Sequence, residues 1–218
     1  MVQRIFSIFA PEPNKVKTMK KMMTICLLAV VSVLGVSAQS ENNSNDAIKN
    51  IITRTSIRKY TEQPVSKTDI ETMLRAGMAA PTAVNKQPWH FVVVTDREQL
   101  NALAAANRGT SMAAKAPLAI VVCGDMQKAL SGVGQAFWVQ DCSAATENIL
   151  LAANALGLGA VWTGLYPNEE RAKDVRNVVK APEHIVPLCT IVIGHPAENP
   201  TPKDKWKPQN VSYNEFGK

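Results

Sequence analysis

Arg54, Ser56 and Arg58 stand at alternate positions in the segment Arg-Thr-Ser-Ile-Arg-Lys-Tyr that ends at Tyr60. In an extended chain alternate side chains share a face, so these three would point the same way. Two guanidinium forks and a hydroxyl on one face are the charge-assisted donors that a phosphate group takes. The same residues read equally well as a solvated basic turn. A second stretch, 79–91, is turn-rich and runs into an apolar segment. Its small residues let the backbone approach a flat ligand, and Asn85 and Gln87 bring amide donors and acceptors. It reads also as an ordinary loop; Trp89 fills the core in either case. In a third, 156–164, a helix stops on glycine and a short extended piece presents its backbone. Last, Lys203, Lys205 and Lys207 surround Trp206, in a pattern that by itself describes a solvated tail.

Other chemistries find little support. His90 enters a strand, and His184 and His195 lie in turns, so each reads as structural. After the leader described below, the cysteines are Cys123, Cys142 and Cys189, far apart and without a CxxC pair, which leaves no zinc site. Cys123 and Cys189 sit in apolar runs as small core residues. One disulfide among the three remains open in an oxidising compartment.

Placing the candidate groups requires a frame, and hydrophobic periodicity supplies it. Ala47, Ile48, Ile51 and Ile52 predict a helix over about 46–53. Ser66 followed by Asp69 resembles a capping box opening a helix through about 78, with Ile70, Met73, Leu74 and Gly77 at helical spacing. Buried strands are predicted at 90–95, 118–123 and 188–194, and a short strand or turn at 160–164. Further helices are predicted at 98–106, 138–156 and 169–179, the longest stopped by Gly157 and Gly159. From Pro196 onward the chain is rich in Pro, Lys and Asn and must drape over something else. Helix exceeds strand, which reads as α+β or a three-layer α/β/α arrangement. Gly132-Val-Gly134 and Gly157-Leu-Gly159 lack a third glycine between strand and helix, so a Rossmann nucleotide site is not expected.

The first 38 residues read as a leader. Lys20 and Lys21 precede an apolar run of about 15 residues, short of the roughly 20 that span a membrane. The run ends in Val36-Ser37-Ala38, so a signal peptide over about 19–38, cleaved before Gln39, is expected, with Met19 an alternative start to Met1. The product would be exported and periplasmic without stable membrane insertion, or cytoplasmic if the leader is unused. Residues 39–45 are polar and read as a disordered lead-in, leaving one domain over 46–218. The net charge of +6 belongs mostly to the leader. Removing its five basic residues and one acidic residue from 24 and 18 leaves 19 and 17, or +2. No basic stripe interleaved with aromatics remains, so nucleic acid is not an expected partner.

Taken in order, these segments resemble the nitroreductase-like flavoprotein family. To the three segments above are added a helix reading Asp141-Cys-Ser-Ala-Ala-Thr-Glu-Asn148-Ile-Leu-Leu, then Pro182-Glu183-His-Ile-Val-Pro187 and Gly194-His195-Pro196-Ala197-Glu198. The likeness spans about 46–213. It implies a central, mostly antiparallel sheet flanked by helices, in an intertwined homodimer with FMN at the interface. Arg54, Thr55, Ser56 and Arg58 then match residues at the FMN phosphate and ribityl chain, and Lys205 and Lys207 a basic pair closing over that phosphate. Pro81, Thr82, Ala83, Asn85 and Gln87 match the loop at the isoalloxazine, partly from the other subunit. Trp162, Thr163 and Gly164 match the backbone facing the reactive ring edge. Thr82 stands where serine is commoner, and Lys207 where arginine is.

The implied activity passes hydride or electrons from NADH or NADPH to a small organic acceptor such as a nitroaromatic or quinone, by a ping-pong scheme. No catalytic side chain and no metal is expected. The competing expectation is a flavin-binding carrier or sensor without turnover.

Overall fold

The computed structural model describes residues 46–217. The chain separates into two units, residues 1–49 and 50–218. The expected leader and lead-in lie outside the described residues. Residues 46–53 are helical (α1), as their spacing predicts.

Four strands, β1 (Trp89–Val94), β2 (Leu118–Asp125), β3 (Gly159–Gly164) and β4 (Ile185–Gly194), form one antiparallel sheet in the order β1-β2-β4-β3. β2 is buried along its whole length because helices cover both faces. Leu118, Ile120 and Val122 point into a core shared with α2 (Lys67–Met78) and α4 (Phe137–Ala155). Ala119, Val121 and Cys123 point into a second core with α3 (Arg97–Ala106) and α5 (Glu169–Val178). A strand with apolar residues in both phases of its two-residue period appears in sequence as an unbroken apolar run. The three-layer α/β/α arrangement expected from the sequence is therefore present.

Local signals set the helix ends. The Ser66 hydroxyl accepts from the Asp69 N–H (3.0 Å) and donates to the Asp69 carboxylate (2.7 Å), starting α2 as predicted. Asp96 and Asn168 cap α3 and α5 in the same way. After α4, Gly157 takes φ 72°, and the Leu158 N–H turns back to the Ala153 carbonyl (2.8 Å). That left-handed turn is what the glycine is there to make. Among the described residues no helix is long and apolar enough to cross a membrane.

The boundaries agree within one or two residues except at β4. β4 begins at Ile185, not Leu188, and so carries Pro187 inside a strand with neighbours on both sides. Proline cannot donate to a ladder and is unusual in a strand paired on both sides. A bulge resolves the conflict. Val122 pairs with Cys189 but Cys123 pairs with Pro187, leaving Leu188 between them. The freed Leu188 carbonyl accepts from the Leu165 and Tyr166 N–H groups (3.0 and 3.1 Å).

Cys123, Cys142 and Cys189 are free thiols with no solvent exposure, so the disulfide left open by the sequence does not form here. Burial pushes the Cys123 and Cys189 thiols up to about 12, and Cys142 is pushed up by the same cause. A neutral, inaccessible thiol is a poor nucleophile. An alkylating reagent at neutral pH should therefore leave these three cysteines unmodified in the folded protein and modify all three after denaturation, as peptide mass mapping would record.

Candidate functional site

Segment 54–60 lies along the outer edge of β3. Ser56 pairs with Ala160 in a parallel bridge, and the Ile57 N–H donates to the Ala160 carbonyl (3.1 Å). This contact requires Gly159, since a Cβ there would lie 2.6 Å from Ile57 Cγ2. Tyr60 is buried, with its hydroxyl in reach of the Ile57 carbonyl and of the Val192 carbonyl on β4 (3.0 Å). Burial raises its phenol above the ordinary value.

The chain leaving β4 clasps the same segment. Tyr60 pairs with Pro196, the Thr61 N–H donates to the His195 carbonyl (2.9 Å), and the Ala197 N–H donates to the Lys59 carbonyl (2.9 Å). The Glu198 carboxylate then accepts the Arg58 N–H at 2.6 Å and the Lys59 N–H at 3.2 Å. These bonds, the Arg58 one foremost, hold the Glu198 carboxyl below its usual range.

Arg54 follows α1, whose end is tied to α4. The Asn50 amide donates to the Leu151 carbonyl (2.9 Å), and the Asn154 amide donates to Asn50 Oδ1 (2.7 Å). Arg54 Nε pairs with Glu147 Oε1 at 3.1 Å, and its side chain is only 18% exposed. Anchoring one nitrogen leaves the two terminal nitrogens of the fork for another acceptor. Arg54, Thr55, Ser56 and Arg58 then face the stretch 200–206 across a cavity of about 1000 Å³, to which Lys203 and Lys205 also contribute. Of the residues that the resemblance assigns to the phosphate end, Arg54, Thr55, Ser56, Arg58 and Lys205 thus meet around one space, without Lys207.

A second cavity, of about 590 Å³, shares Arg58 with the first. Its walls are residues 161–164 of β3, the turn at Asn107, Arg108 and Gly109, and Arg171. Because the Ala160 peptide faces segment 54–60, alternation along the strand directs the Trp162 and Gly164 peptide groups to the same outer edge. The Thr163 side chain points inward. Its hydroxyl donates to the Thr190 carbonyl (2.8 Å) and lies 2.9 Å from the Thr110 hydroxyl, to which the Asn107 amide also donates (3.0 Å). This buried polar chain fixes the 107–110 turn to β3.

Other predicted residues lie elsewhere. Pro81, Thr82, Ala83, Asn85 and Gln87 line neither cavity, nor does Lys207, which precedes the turn Pro208–Asn210. The 81–87 loop is nonetheless tightly built. The Gln87 N–H donates to the Thr82 hydroxyl (3.1 Å), and the Ala83 N–H donates to the buried Asp141 carboxylate on α4 (2.8 Å). Val84, Asn85 and Gln87 take φ of 51°, 54° and 49° on either side of a right-handed Lys86, and valine is unusual in that region. None of the three histidines lines either cavity.

Sequence reasoning missed Glu147, Glu198, Arg108 and Arg171 as neighbours of the site. Glu147 and Glu198 stood inside quoted motifs without a role. Arg108 and Arg171 are isolated arginines with no spacing signal.

The nitroreductase family model matches residues 51–111 and 107–195. A protein of Methanothermobacter thermautotrophicus, provisionally named an NADH dehydrogenase/NAD(P)H nitroreductase, is 46% identical over 167 residues, covering 76% of this chain and 85% of its own. A crystal structure from Bacteroides thetaiotaomicron with the same provisional name is 46% identical and superposes with a TM-score of 0.74. It covers 78% of this chain and 98% of that one. An FMN-dependent nitroreductase from Clostridium difficile is 30% identical with a TM-score of 0.72, over 78% of this chain and 99% of its own.

The Glu198 clasp has a definite pH sign. Its carboxyl is lowered in the folded state, so the clasp is intact above the ordinary carboxylate range and is lost as pH falls through the lowered value. Hydrogen exchange of the Arg58 and Lys59 amides should show protection at neutral pH that disappears on acidification. It should be lost at neutral pH in Glu198→Ala.

Proposed function

The chain belongs to the nitroreductase family, and on that premise we propose that FMN lies across the two cavities, its phosphate beside Arg54, Ser56 and Lys205 and its ring along the outer edge of β3. The protein is an FMN-dependent NAD(P)H oxidoreductase acting on small organic acceptors. The observation that carries the placement is Arg58. It lines both cavities, so a phosphate in one and a flat ring in the other can belong to a single ligand.

The residues present fit that cofactor. Arg54, Arg58, Lys203 and Lys205 supply four cations around the larger cavity, against Glu147 and Asp204. That surplus, with the Ser56 and Thr55 hydroxyls, suits a phosphate and a polyol chain. The outward peptide groups of Trp162 and Gly164 offer donors and acceptors in line, which suits the polar edge of a heterocycle. When bound, FMN supplies hydride and electron transfer between a nicotinamide donor and the acceptor. The chain's own task is placement. Arg54 is held by Glu147, segment 54–60 by Glu198 and Tyr60, and the 107–110 turn by its threonine chain. One cavity beside β3 serves donor and acceptor in turn, which is a ping-pong scheme.

We further infer a homodimer in which the 81–87 loop reaches the ring bound by the partner subunit and Lys207 closes over a phosphate. Two features support this reading. Residues 201–217 are exposed throughout, Trp206 at 68%, and Val84 at the tip of the loop is 81% exposed. Trp206, Val211, Tyr213 and Phe216 gather four exposed apolar side chains in one short stretch, and such gatherings mark interaction surfaces where a lone exposed residue does not. Export after cleavage before Gln39 belongs to the same proposal and rests on the leader pattern.

The purified protein should be yellow and release FMN on denaturation. Arg58→Ala should weaken FMN roughly tenfold, the scale of a charge-assisted contact at a largely exposed arginine. Riboflavin, lacking the phosphate, should bind more weakly and respond less to the substitution; fluorescence titration measures both. Native mass spectrometry of protein from its host should give twice the mass of a chain beginning at Gln39. A monomeric mass would refute the dimer, and an intact N-terminus would refute export.

A further inference from the structure

Three arginines, Arg58, Arg108 and Arg171, line the smaller cavity, and no carboxylate residue does. The other described arginines all have side-chain partners. Arg54 pairs with Glu147, Arg75 with Glu71, Arg97 donates to the Ala114 carbonyl, and Arg176 donates to the Glu183 carbonyl. Among the described arginines, the three whose side chains make neither an ion pair nor a hydrogen bond are the three that line this cavity. Glu198 lies near Arg58 but outside the cavity lining, and like charges gathered around a space that no carboxylate lines repel one another, which an anion relieves.

The positions of two of them sharpen the case. Arg171 lies in the first turn of α5, where the helix dipole disfavours a cation, and it pairs with neither Glu169 nor Glu170 beside it. Arg108 opens a turn whose backbone is fixed from below, since Asn107 is buried and accepts the Gly109 N–H (3.1 Å). Both residues are exposed, and neither lines the larger cavity that holds the proposed phosphate contacts. Arg58 alone reaches the larger cavity.

Resting on the FMN placement above, we propose that Arg108 and Arg171 bind the phosphate groups of the nicotinamide dinucleotide and set the affinity of the protein for its electron donor. The chemistry of the ligands selects this reading. A nitroaromatic or quinone acceptor has no anionic group needing two guanidinium forks, and the FMN phosphate has its own cations in the larger cavity. The dinucleotide must bring its nicotinamide to the β3 edge, and its phosphates then trail toward the cavity mouth.

The test uses FMN-loaded Arg108→Gln, Arg171→Gln and the double variant, with Arg→Lys at both sites as a charge-retaining control. NADP+ and NAD+ are titrated without turnover, following flavin absorbance, and FMN affinity is measured separately. Reduction by NADPH and NADH is compared with reduction by 1-benzyl-1,4-dihydronicotinamide, which carries no phosphate. The double variant should weaken dinucleotide binding about tenfold or more, as for two exposed charge-assisted contacts, and should lose most of the salt dependence of binding. The ratio of apparent dissociation constants, dinucleotide over phosphate-free donor, should rise by the same factor, with FMN affinity within about twofold of the parent. The lysine control should fall between parent and double variant. Equal losses with both kinds of donor, accompanied by weaker FMN binding, would assign the arginines to the cofactor and overturn the proposal. Unchanged dinucleotide binding would also overturn it, by making them solvated surface charges. A parent protein that takes up no FMN would sink the underlying functional reading instead.

Discussion

The outer edge of β3 is the constraint around which the rest of the site is arranged. A sheet edge presents a row of peptide groups that need partners, and a fold must cover them, pair them or use them. Here segment 54–60 pairs the first part of that edge, through Ser56 and Ile57 at Ala160. Alternation carries the same outward direction on to Trp162 and Gly164, where the smaller cavity begins. The edge thus changes from structural pairing to ligand-facing backbone within a few residues. Gly159 permits the change, because only a residue without a Cβ lets Ile57 lie against the strand.

Acidic side chains do much of the organising in a basic site. Glu147 holds Arg54 by one nitrogen, and Glu198 accepts the amides of Arg58 and Lys59 without forming an ion pair with either side chain. Each carboxylate positions a cation while leaving donor capacity unused. The buried Asp141 plays a comparable part in the 81–87 loop, where it receives the Ala83 N–H beside three left-handed residues. Backbone of that kind persists where its surroundings over-determine it, and such places concentrate at ligand contacts. The two cavities differ because carboxylates accompany the cations in the larger one and are absent from the smaller.

The central layer explains why this arrangement can be rigid. β2 is buried on both faces, so two cores, one with α2 and α4 and one with α3 and α5, grip the same sheet. The threonine chain from Thr190 through Thr163 to Thr110 crosses from that sheet to the turn carrying Arg108. Strain and charge at the edge are therefore referred to a frame that does not yield locally.

Periodicity, capping and glycine were legible in the chain itself. The Ser66–Asp69 cap, the long helix ending at Gly157, the apolar strands and the alternate Arg54, Ser56 and Arg58 each depend on residues within a few positions of one another. Such short-range chemistry survives in a linear reading, and so did the three-layer class, because buried strands and amphipathic helices alternate in order. The extension of β4 through Pro187 was not legible, since the bulge that accommodates it is created by pairing with β2. Nor was the meeting of Arg58, Arg108 and Arg171, which come from a sheet-edge segment, a turn after α3 and the first turn of α5. Sequence determined which local shapes each segment takes, through interactions that close within a turn or a strand. Tertiary structure alone decided which charges share a cavity and which have counter-charges, because electrostatic energy depends on distances in space that sequence separation does not encode.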